Sequence, residues 1–195
     1  MSAFHERLKA HIAARQDVGL KRQLLPIEAH QGKFVQLHGQ TLLSFASNDF
    51  LGLAATDLTK IVSGRGSGSG ASRLVTGTTA STLEAENALA KFFGYESCLI
   101  LGSGFLANLT LIATLFGPEH TLLLDKRAHT STVTGVLHSR AVFHTFRHNS
   151  LSHLEKLLQT YPADAILTES LFSMDGDSPD FTHLAKLKQK FKCTC

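Results

Sequence analysis

TLLLDKRAHTSTVTGVLHSRAVFHTF (121–146) is the stretch of sequence that decides the fold. It begins with an apolar run that ends at Asp125, continues with the helical segment HTSTVTGVLHS, and closes with a second short apolar run, AVFHTF. A strand, a helix and a second strand in this order favour parallel pairing, because the crossover helix returns the chain to the start of the sheet. We therefore expect an α/β fold built on a mostly parallel sheet with helices on both faces.

The same alternation extends along the chain in both directions. Further helices are predicted at 81–94, 105–116, 152–161 and 178–191, and Ser150 or Ser152 is expected to cap the third of them. Further strands are predicted in ESCLILG (96–102) and DAILTESLFS (164–173), and the final FKCTC indicates the beginning of one more.

The first residues have a different pattern. Phe4, Leu8 and Ile12 are spaced along an amphipathic helix that is expected to end near Gly19. KFVQLHGQTLLSFAS (33–47) alternates about HGQ in the manner of a small hairpin, and a short helix is expected before residue 63. We expect residues 1–46 to form an arm and residues 47–195 to form part of one large domain.

Composition excludes several classes of protein. A net charge of +3 among 35 charged residues gives no reason to expect a nucleic-acid partner. The four lysines of AKLKQKFK (185–192) are typical of a solvated helix face near its C-terminus. Three cysteines, at 98, 193 and 195, form neither a disulfide framework nor a zinc site. The chain has no signal-peptide core and no membrane-spanning run, so we expect a cytoplasmic protein without a membrane partner.

Two glycine-rich stretches are candidate phosphate sites. In SGRGSGSGASRLVTGT (63–78), glycines at 64, 66, 68 and 70 give neither the G-x-G-x-x-G register nor a Walker lysine, which favours a turned surface loop. GSGF (102–105) follows a predicted strand and opens a predicted helix, where free amide hydrogens and the helix dipole attract anions. Ser103 can cap that helix or contact phosphate, and Gly104 lets the backbone approach closely. A purely structural turn is the alternative.

Other polar residues follow the predicted strands. His129 comes just after TLLLD, and Ser173 ends the predicted strand DAILTESLFS, so both lie where open parallel sheets place ligand groups. A structural role is the alternative for His129, because the chain holds eleven histidines. Asp175 and Asp177 suggest a metal, but D-G-D-S-P is equally an ordinary turn, and we expect no metal site.

Six segments occur together in an order and spacing typical of one enzyme family. They are SNDFLGL (47–53), GSGASRLVTGT (68–78), SGFLAN (103–108), the His129 segment, FRHNS (146–150) and ESLFSMDGD (169–177). With these segments, nearly the whole chain resembles the pyridoxal-phosphate-dependent α-oxoamine synthases, and most of all the members that work in biotin biosynthesis. The resemblance implies the aspartate-aminotransferase fold (fold type I), a homodimer and C-acyltransferase activity with pyridoxal 5'-phosphate as cofactor.

The resemblance also implies roles for particular residues. Ser103 and the backbone of Gly104 and Phe105 would hold the cofactor phosphate, and His129 would stack on the pyridine ring. Ser173 would hydrogen-bond the cofactor, with Glu169 as support. Arg22 (or Lys21, because the alignment is loose there) and Asn48 would lie by the substrate, as would His129. The stretch 63–78 would pack near the active site and the dimer interface without holding the phosphate.

The family condenses an amino acid with an acyl thioester and releases CO2. The biotin-pathway members take L-alanine and pimeloyl-CoA or pimeloyl-ACP, and the Asp of SND, the GSGASRLVTG run and RHN favour them. A glycine C-acetyltransferase (2-amino-3-ketobutyrate CoA ligase), which uses glycine and acetyl-CoA, is the alternative within the family. A non-catalytic phosphate-binding or dimerisation fragment is the alternative outside it.

Two family segments are missing from the 195 residues. One is the strand with Asp-Glu-Ala-His, whose Asp pairs with the pyridine nitrogen, and the other holds the lysine that forms an imine with the cofactor. Lys126 precedes the His129 segment and therefore does not match that lysine. Without the lysine, proton transfer at the substrate loses its main agent, so we expect the 195-residue chain alone to be inactive.

Borohydride reduction tests this expectation. The 195-residue chain, mixed with pyridoxal phosphate and reduced, should show no visible imine band and no single modified lysine by peptide mass spectrometry. One stoichiometrically labelled lysine would contradict the expectation. DNA sequence beyond codon 195 that encodes Asp-Glu-Ala-His in another frame would indicate truncation.

Overall fold

The computed structural model describes residues 2–59 and 68–195 of the chain. Internal contacts divide it into two compact units, Met1–Gly77 and Thr78–Cys195, each described here by itself. The boundary that the sequence predicts between the arm (1–46) and the large domain (47–195) remains a prediction. The glycines at 64 and 66 lie outside the described residues, as does most of the first half of the 63–78 stretch.

Within residues 2–59 and 68–77, the first unit shows a long N-terminal helix, a small antiparallel sheet and short turns. Helix α1 (Ala3–Asp17) ends just before Gly19, as the sequence predicts, with Phe4, Leu8 and Ile12 exposed. Strands β1 (Ala29–Gln31), β2 (Phe34–Leu37) and β3 (Gln40–Leu43) pair in that order. The predicted hairpin is β2–β3. Its two-residue turn has positive φ at both His38 and Gly39, which matches the right-handed twist of the strands.

Short turns make up the other described parts of this unit. Leu53–Ala55 form a single 3-10 turn, and Arg73–Gly77 form one wide helical turn. The short helix that the sequence predicts before residue 63 lies partly outside the described residues and stays a prediction. A Cβ at Gly77 would lie 1.9 Å from the carbonyl oxygen of Ala71, so only glycine fits at that position.

The second unit alternates helices and strands. The helices are α2 (Ala80–Phe93), α3 (Gly104–Leu115), α4 (Thr130–Ser139), α5 (Leu151–Thr160) and α6 (Phe181–Phe191). The strands are β4 (Thr121–Asp125), β5 (Val142–Phe146) and β6 (Ala165–Leu167). Ser150 occupies the N-cap position of α5, which decides between the two predicted caps, although its side chain makes no capping hydrogen bond.

The three strands form a parallel sheet in the order β5-β4-β6. Side chains of β4 alternate between two hydrophobic clusters because successive residues of a strand point to opposite faces. Leu123 packs with α5 and α6 through Leu154 and Leu184, whereas Leu122 and Leu124 pack with residues of α3 and α4. The predicted parallel sheet with helices on both faces is confirmed.

Thr194 adds to the same sheet on the β6 side. It forms a parallel bridge with Ala165, its carbonyl accepts from the amide of Ile166 at 3.0 Å, and its amide donates to the carbonyl of Asp164 at 2.9 Å. The prediction that FKCTC begins a further strand is therefore confirmed.

Two predicted strands differ in the structure. Residues 96–101 are not assigned to a strand, and the amide of Ile100 donates instead to the carboxylate of Glu86 at 2.7 Å. An apolar run becomes a strand only when a neighbouring strand pairs with it, which sequence periodicity does not report. In 164–173 only Ala165–Leu167 are a strand, because the backbone then turns and the amide of Phe172 donates to the carbonyl of Asp177.

None of the helices within the described ranges combines the length and the apolar composition needed to cross a membrane.

Replacing Leu154 tests the packing of the sheet against α5. Its side chain is fully buried in the cluster around Leu123, so Leu154→Ala should lower the free energy of unfolding by about 2–5 kcal/mol. Leu137→Ala on the exposed face of α4 is the matched control and should change it by less than about 0.5 kcal/mol. Equal urea midpoints for the two variants would contradict the assignment of the core.

Candidate functional site

Polar side chains gather where the three parallel strands end. Asp125 is the last residue of β4, His148 and Asn149 follow β5, and the loop 168–177 follows β6. Because the strands are parallel, their carboxyl ends meet at one edge of the sheet, the usual position of ligand sites in open α/β sheets.

Asp125 lies at the centre of this edge, with a fully buried side chain. Its Oδ1 accepts from the amide of Arg127 at 2.8 Å and from Nδ1 of His148 at 2.9 Å, and its Oδ2 accepts from the amide of Asn149 at 3.0 Å. A buried carboxylate costs free energy unless donors surround it. Asp125 meets this requirement by binding the loops after β4 and β5.

His148 bridges two carboxylates. Its Nδ1 is bonded to Asp125, and its Nε2 lies 3.0 Å from Oδ2 of Asp177. An ionised carboxylate only accepts hydrogen bonds, and a neutral imidazole has a single N–H, so both bonds form only when the ring is protonated. The hydrogen bond to Asp125 accordingly raises the pKa of His148, with further contributions from the charges of Asp125 and Asp177.

The loop 168–177 is held at several points. Nδ2 of Asn149 donates to Oδ2 of Asp177 at 2.7 Å, and Arg127 forms an ion pair with Asp175. Burial opposes ionisation of Asp177, but the hydrogen bonds from Asn149 and His148 outweigh it, so the pKa of Asp177 lies below its usual value. Gly176, at φ 69°, allows the backbone to turn back toward Phe172.

Helices α3 and α4 begin at the same end of the unit. Nδ2 of Asn108 donates to Oγ of Ser131 at 3.0 Å, and one turn further a Cβ at Gly135 would lie 3.0 Å from the Cβ of Ile112. Both pairs are 23 residues apart, so the two helices run side by side in the same direction. Their N-termini, and with them Gly104 and His129, lie near the same edge.

The N-terminus of α3 is open. Ser103 is its N-cap, and its hydroxyl accepts from the amide of Leu106 at 3.2 Å. The amides of Gly104 and Phe105 have no hydrogen-bond acceptor within the described parts of the chain, and a Cβ built on Gly104 meets nothing within 4 Å. This end of the helix offers two free N–H donors and space in front of them, as anion binding requires.

His129 caps α4 with its ring. Nδ1 accepts from the amide of Ser131 at 3.1 Å and lies 2.7 Å from the hydroxyl of that residue, so in the neutral ring the proton is on Nε2. The amide of His129 donates to the carboxylate of Glu169. In the first turn of α4, Thr130 is the one residue whose amide has no acceptor among the described residues, whereas at the start of α3 the amides of Gly104 and Phe105 both lack one.

The structure brings most of the predicted site residues to one edge of the second unit. Ser103, Gly104 and Phe105 lie at the start of α3, and His129 with Glu169 lies at the start of α4. Ser173 is exposed in the loop after β6. The prediction that it ends a strand is wrong, because β6 ends at Leu167.

The predicted substrate residues other than His129 belong to the first unit. Arg22 and its alternative Lys21 line a cavity of about 380 Å3 together with Arg15, and Nζ of Lys21 donates to Gln16 at 3.1 Å. Asn48 is exposed in the turn that precedes Leu53. Their roles remain predictions.

His148, Asp175 and Asp177 place ligand atoms within 4.8 Å of one another, as a metal site would. Both nitrogens of His148 are already hydrogen-bonded, and Asp175 is paired with Arg127. The His148 ring and the Asp175 carboxylate therefore already have partners within the chain.

The sequence analysis missed Asp125 and the individual roles of His148 and Asn149. One signal was available, because a charged residue at the end of an otherwise apolar buried strand needs donors around it. FRHNS was identified only as one segment of the family pattern.

The cofactor implied by the family resemblance fits the edge of the sheet. Its phosphate needs donors and open space, which the amides of Gly104 and Phe105 supply. Its flat ring needs a planar neighbour, and the His129 imidazole is held in orientation by Ser131. The residues that would hold it are Ser103, Gly104, Phe105 and His129, with Glu169 behind His129.

The charge on His148 makes stability dependent on pH. Its pKa is higher in the folded chain than in the unfolded chain, so its contribution is present below the unfolded value and disappears as pH rises through the folded value. Above pH 6.5, wild type should lose more unfolding free energy than His148→Gln. Parallel curves from urea titrations at pH 6 to 9 would contradict this prediction.

Comparison with known proteins identifies the family. Residues 40–194 match the family model described as aminotransferase class I and II. The chain is 42% identical over 177 residues to 8-amino-7-oxononanoate synthase from Chromobacterium violaceum. The aligned region covers 87% of this chain and 46% of that enzyme. It is 35% identical to the enzyme of the same name from Vibrio atlanticus, covering 98% of this chain and 49% of that one.

Solved structures agree with the fold. Serine palmitoyltransferase from S. paucimobilis superposes with a TM-score of 0.85 at 24% identity, covering 99% of this chain and 52% of that one. The chain spans about half the length of the relatives it matches. It belongs to the aminotransferase class I and II family, with the fold of the fold-type I pyridoxal-phosphate enzymes, and its sequence resembles the 8-amino-7-oxononanoate synthases.

Proposed function

We propose that these residues form the cofactor-binding part of an enzyme that condenses L-alanine with a pimeloyl thioester, CoA or ACP, in biotin biosynthesis. The products would be 8-amino-7-oxononanoate, CO2 and the free thiol carrier. The 8-amino-7-oxononanoate synthase relatives, at 35–42% identity, support this reaction among those of the family. The cofactor is pyridoxal 5'-phosphate.

One observation carries the proposal: two parallel helices begin at the same edge, and the start of α3 leaves two adjacent amides without acceptors among the described residues, against one at the start of α4. The start of α4 is occupied by the ring of His129 and the carboxylate of Glu169. The start of α3 keeps the amides of Gly104 and Phe105 available. A phosphate would therefore bind at α3, with the planar His129 ring at the neighbouring helix.

Each residue then has a distinct task. Gly104 and Phe105 donate backbone hydrogen bonds to the phosphate, and the hydroxyl of Ser103, which already accepts from Leu106, can donate its own proton. Glu169 fixes the backbone of His129, and Ser131 fixes its ring. The cofactor supplies an electron-withdrawing ring that makes the α-carbon of a bound amino acid acidic. Ser173 is proposed to hydrogen-bond the cofactor.

His129 has a second task that follows from its tautomer. Because Nδ1 accepts from Ser131, the neutral ring presents an N–H at Nε2. That atom can donate to the carboxylate of the amino acid substrate while the ring lies against the cofactor. Arg22, or Lys21, and Asn48 are proposed to bind substrate groups as well, and the active enzyme is proposed to be a homodimer.

Replacing Gly104 separates ligand binding from folding. A methyl group there meets no protein atom within 4 Å, so Gly104→Ala should leave the urea midpoint unchanged or slightly higher. The same methyl group would occupy the space in front of the amides. We expect the dissociation constant for pyridoxal phosphate, measured by equilibrium dialysis, to rise about tenfold, the equivalent of one lost charge-assisted hydrogen bond.

Gly117→Ala is the matched control. Gly117 lies beyond the other end of α3, and the nearest atoms to an added Cβ belong to the flexible side chain of Glu119. This variant should bind pyridoxal phosphate like wild type. Equal affinities for Gly104→Ala and Gly117→Ala would contradict the phosphate site.

Because the 195-residue chain alone is expected to be inactive, activity is tested with a protein in which residues 1–195 are followed by the two missing family segments. The purified protein should convert L-alanine and pimeloyl-CoA to 8-amino-7-oxononanoate, detected by mass spectrometry, with one CO2 released per turnover. Glycine with acetyl-CoA is the competing substrate pair. Preference for that pair would overturn the proposed substrates.

A further inference from the structure

We propose that His148 is a positioning residue that clamps the loop 168–177 to the end of β4 and thereby sets the placement of His129 and Ser173. The inference rests on the proposed function, since it assigns His148 to the assembly of the same cofactor site. His148 itself is not among the residues proposed to touch the cofactor or the substrates.

Two carboxylates hold the His148 ring, one at each ring nitrogen. Asp125 at the end of β4 bonds one ring nitrogen at 2.9 Å, and Asp177 in the loop bonds the other at 3.0 Å. The ring is only 17% exposed, and Phe172 packs edge-on against it with centroids 4.5 Å apart. Phe172 also belongs to the loop, so the ring holds the loop by a charged contact and an apolar contact together.

The loop is tied to the start of α4 at its other end. Glu169 accepts from the amide of His129, and Asp175 pairs with Arg127, two residues before His129. Asp125 in turn accepts from the amide of Arg127 at 2.8 Å. Movement of the loop away from His148 would therefore pull on the segment that carries His129 at two points, Arg127 and the amide of His129.

The clamp depends on the charge of His148. The titratable or charged groups around the ring are Asp125 from β4 and Asp177 from the loop, with Arg127 and Asp175 paired beyond them. His153 of α5 lies near the same turn but is occupied, because its Nδ1 accepts from the amide of Arg147 at 3.0 Å. When His148 loses its proton, one of the two carboxylates loses its donor. One of the two hydrogen bonds that join the loop to the end of β4 through His148 is then lost.

Equilibrium dialysis of pyridoxal phosphate with the purified protein at pH 6 to 9 tests the clamp. At pH 6.5, His148→Gln should raise the dissociation constant about tenfold relative to wild type, the equivalent of one lost charged hydrogen bond. The difference should shrink as pH rises and wild-type His148 loses its proton. His153→Gln, the same substitution on the neighbouring helix, should follow the wild-type curve.

Hydrogen exchange of the ligand-free protein provides a readout that does not need the cofactor. Amides of 168–177 should exchange faster in His148→Gln than in His153→Gln, and in wild type they should exchange faster, beyond the intrinsic pH effect, as His148 deprotonates. Asp177→Asn keeps the ring in place and removes one of the two carboxylates beside it. This variant should therefore bring the NMR titration midpoint of His148 down toward the ordinary histidine value. This variant covers the case in which His148→Gln does not fold.

The outcomes separate the clamp from the proposed function. Loop protection that depends on His148, without pyridoxal phosphate binding in any variant, supports the clamp and contradicts the proposed function. Binding curves and loop protection that are the same in His148→Gln and His153→Gln overturn the clamp, as does an ordinary titration midpoint for His148 in wild type.

Discussion

The burial of β4 on both faces is the constraint on which the second unit depends. Leu122, Leu123 and Leu124 are each almost completely buried, and they divide between two clusters that hold different pairs of helices. Each buried leucine side chain is worth about 1.5–3 kcal/mol relative to exposure. A central strand packed on both faces fixes the point at which the chain leaves the sheet. It thereby positions the loops that follow the strands.

The same strand ends in a residue of opposite character. Asp125 follows three leucines directly and is just as inaccessible, but it needs donors where they need apolar neighbours. It obtains them from the loops after β4 and β5. Apolar packing thus gives way to hydrogen bonding within one residue of β4. Because Asp125 binds the loops after β4 and β5, the position of the strand determines the position of these loops.

The sequence was sufficient for those parts of the fold and site that depend on local pattern. The apolar runs at 121–125 and 141–146 predicted both strands, and the helix between them implied parallel pairing. Parallel pairing in turn predicts that residues after the strands share an edge, which is why His129 was identified. GSGF was recognised because a helix start depends only on nearby residues.

The parts that could not be predicted depend on distant partners. His148 lies 23 residues from Asp125 and 29 from Asp177, and nothing in the spacing fixes how the intervening loops bend. Residues 96–101 are as apolar as a strand but lack strand pairing, and 168–173 turn away because Phe172 and Asp177 bond to each other. Both cases are decided by tertiary contacts, which override local preference.

Because α3 and α4 begin side by side, the charges at their N-termini affect the stability of the protein and its affinity for an anion. Each helix presents about half a positive charge at its first turn, and two such ends repel when adjacent. Glu169 neutralises one of them. A dianion would neutralise the other end, so ligand binding and stability are thermodynamically linked, and the melting temperature should climb with ligand concentration.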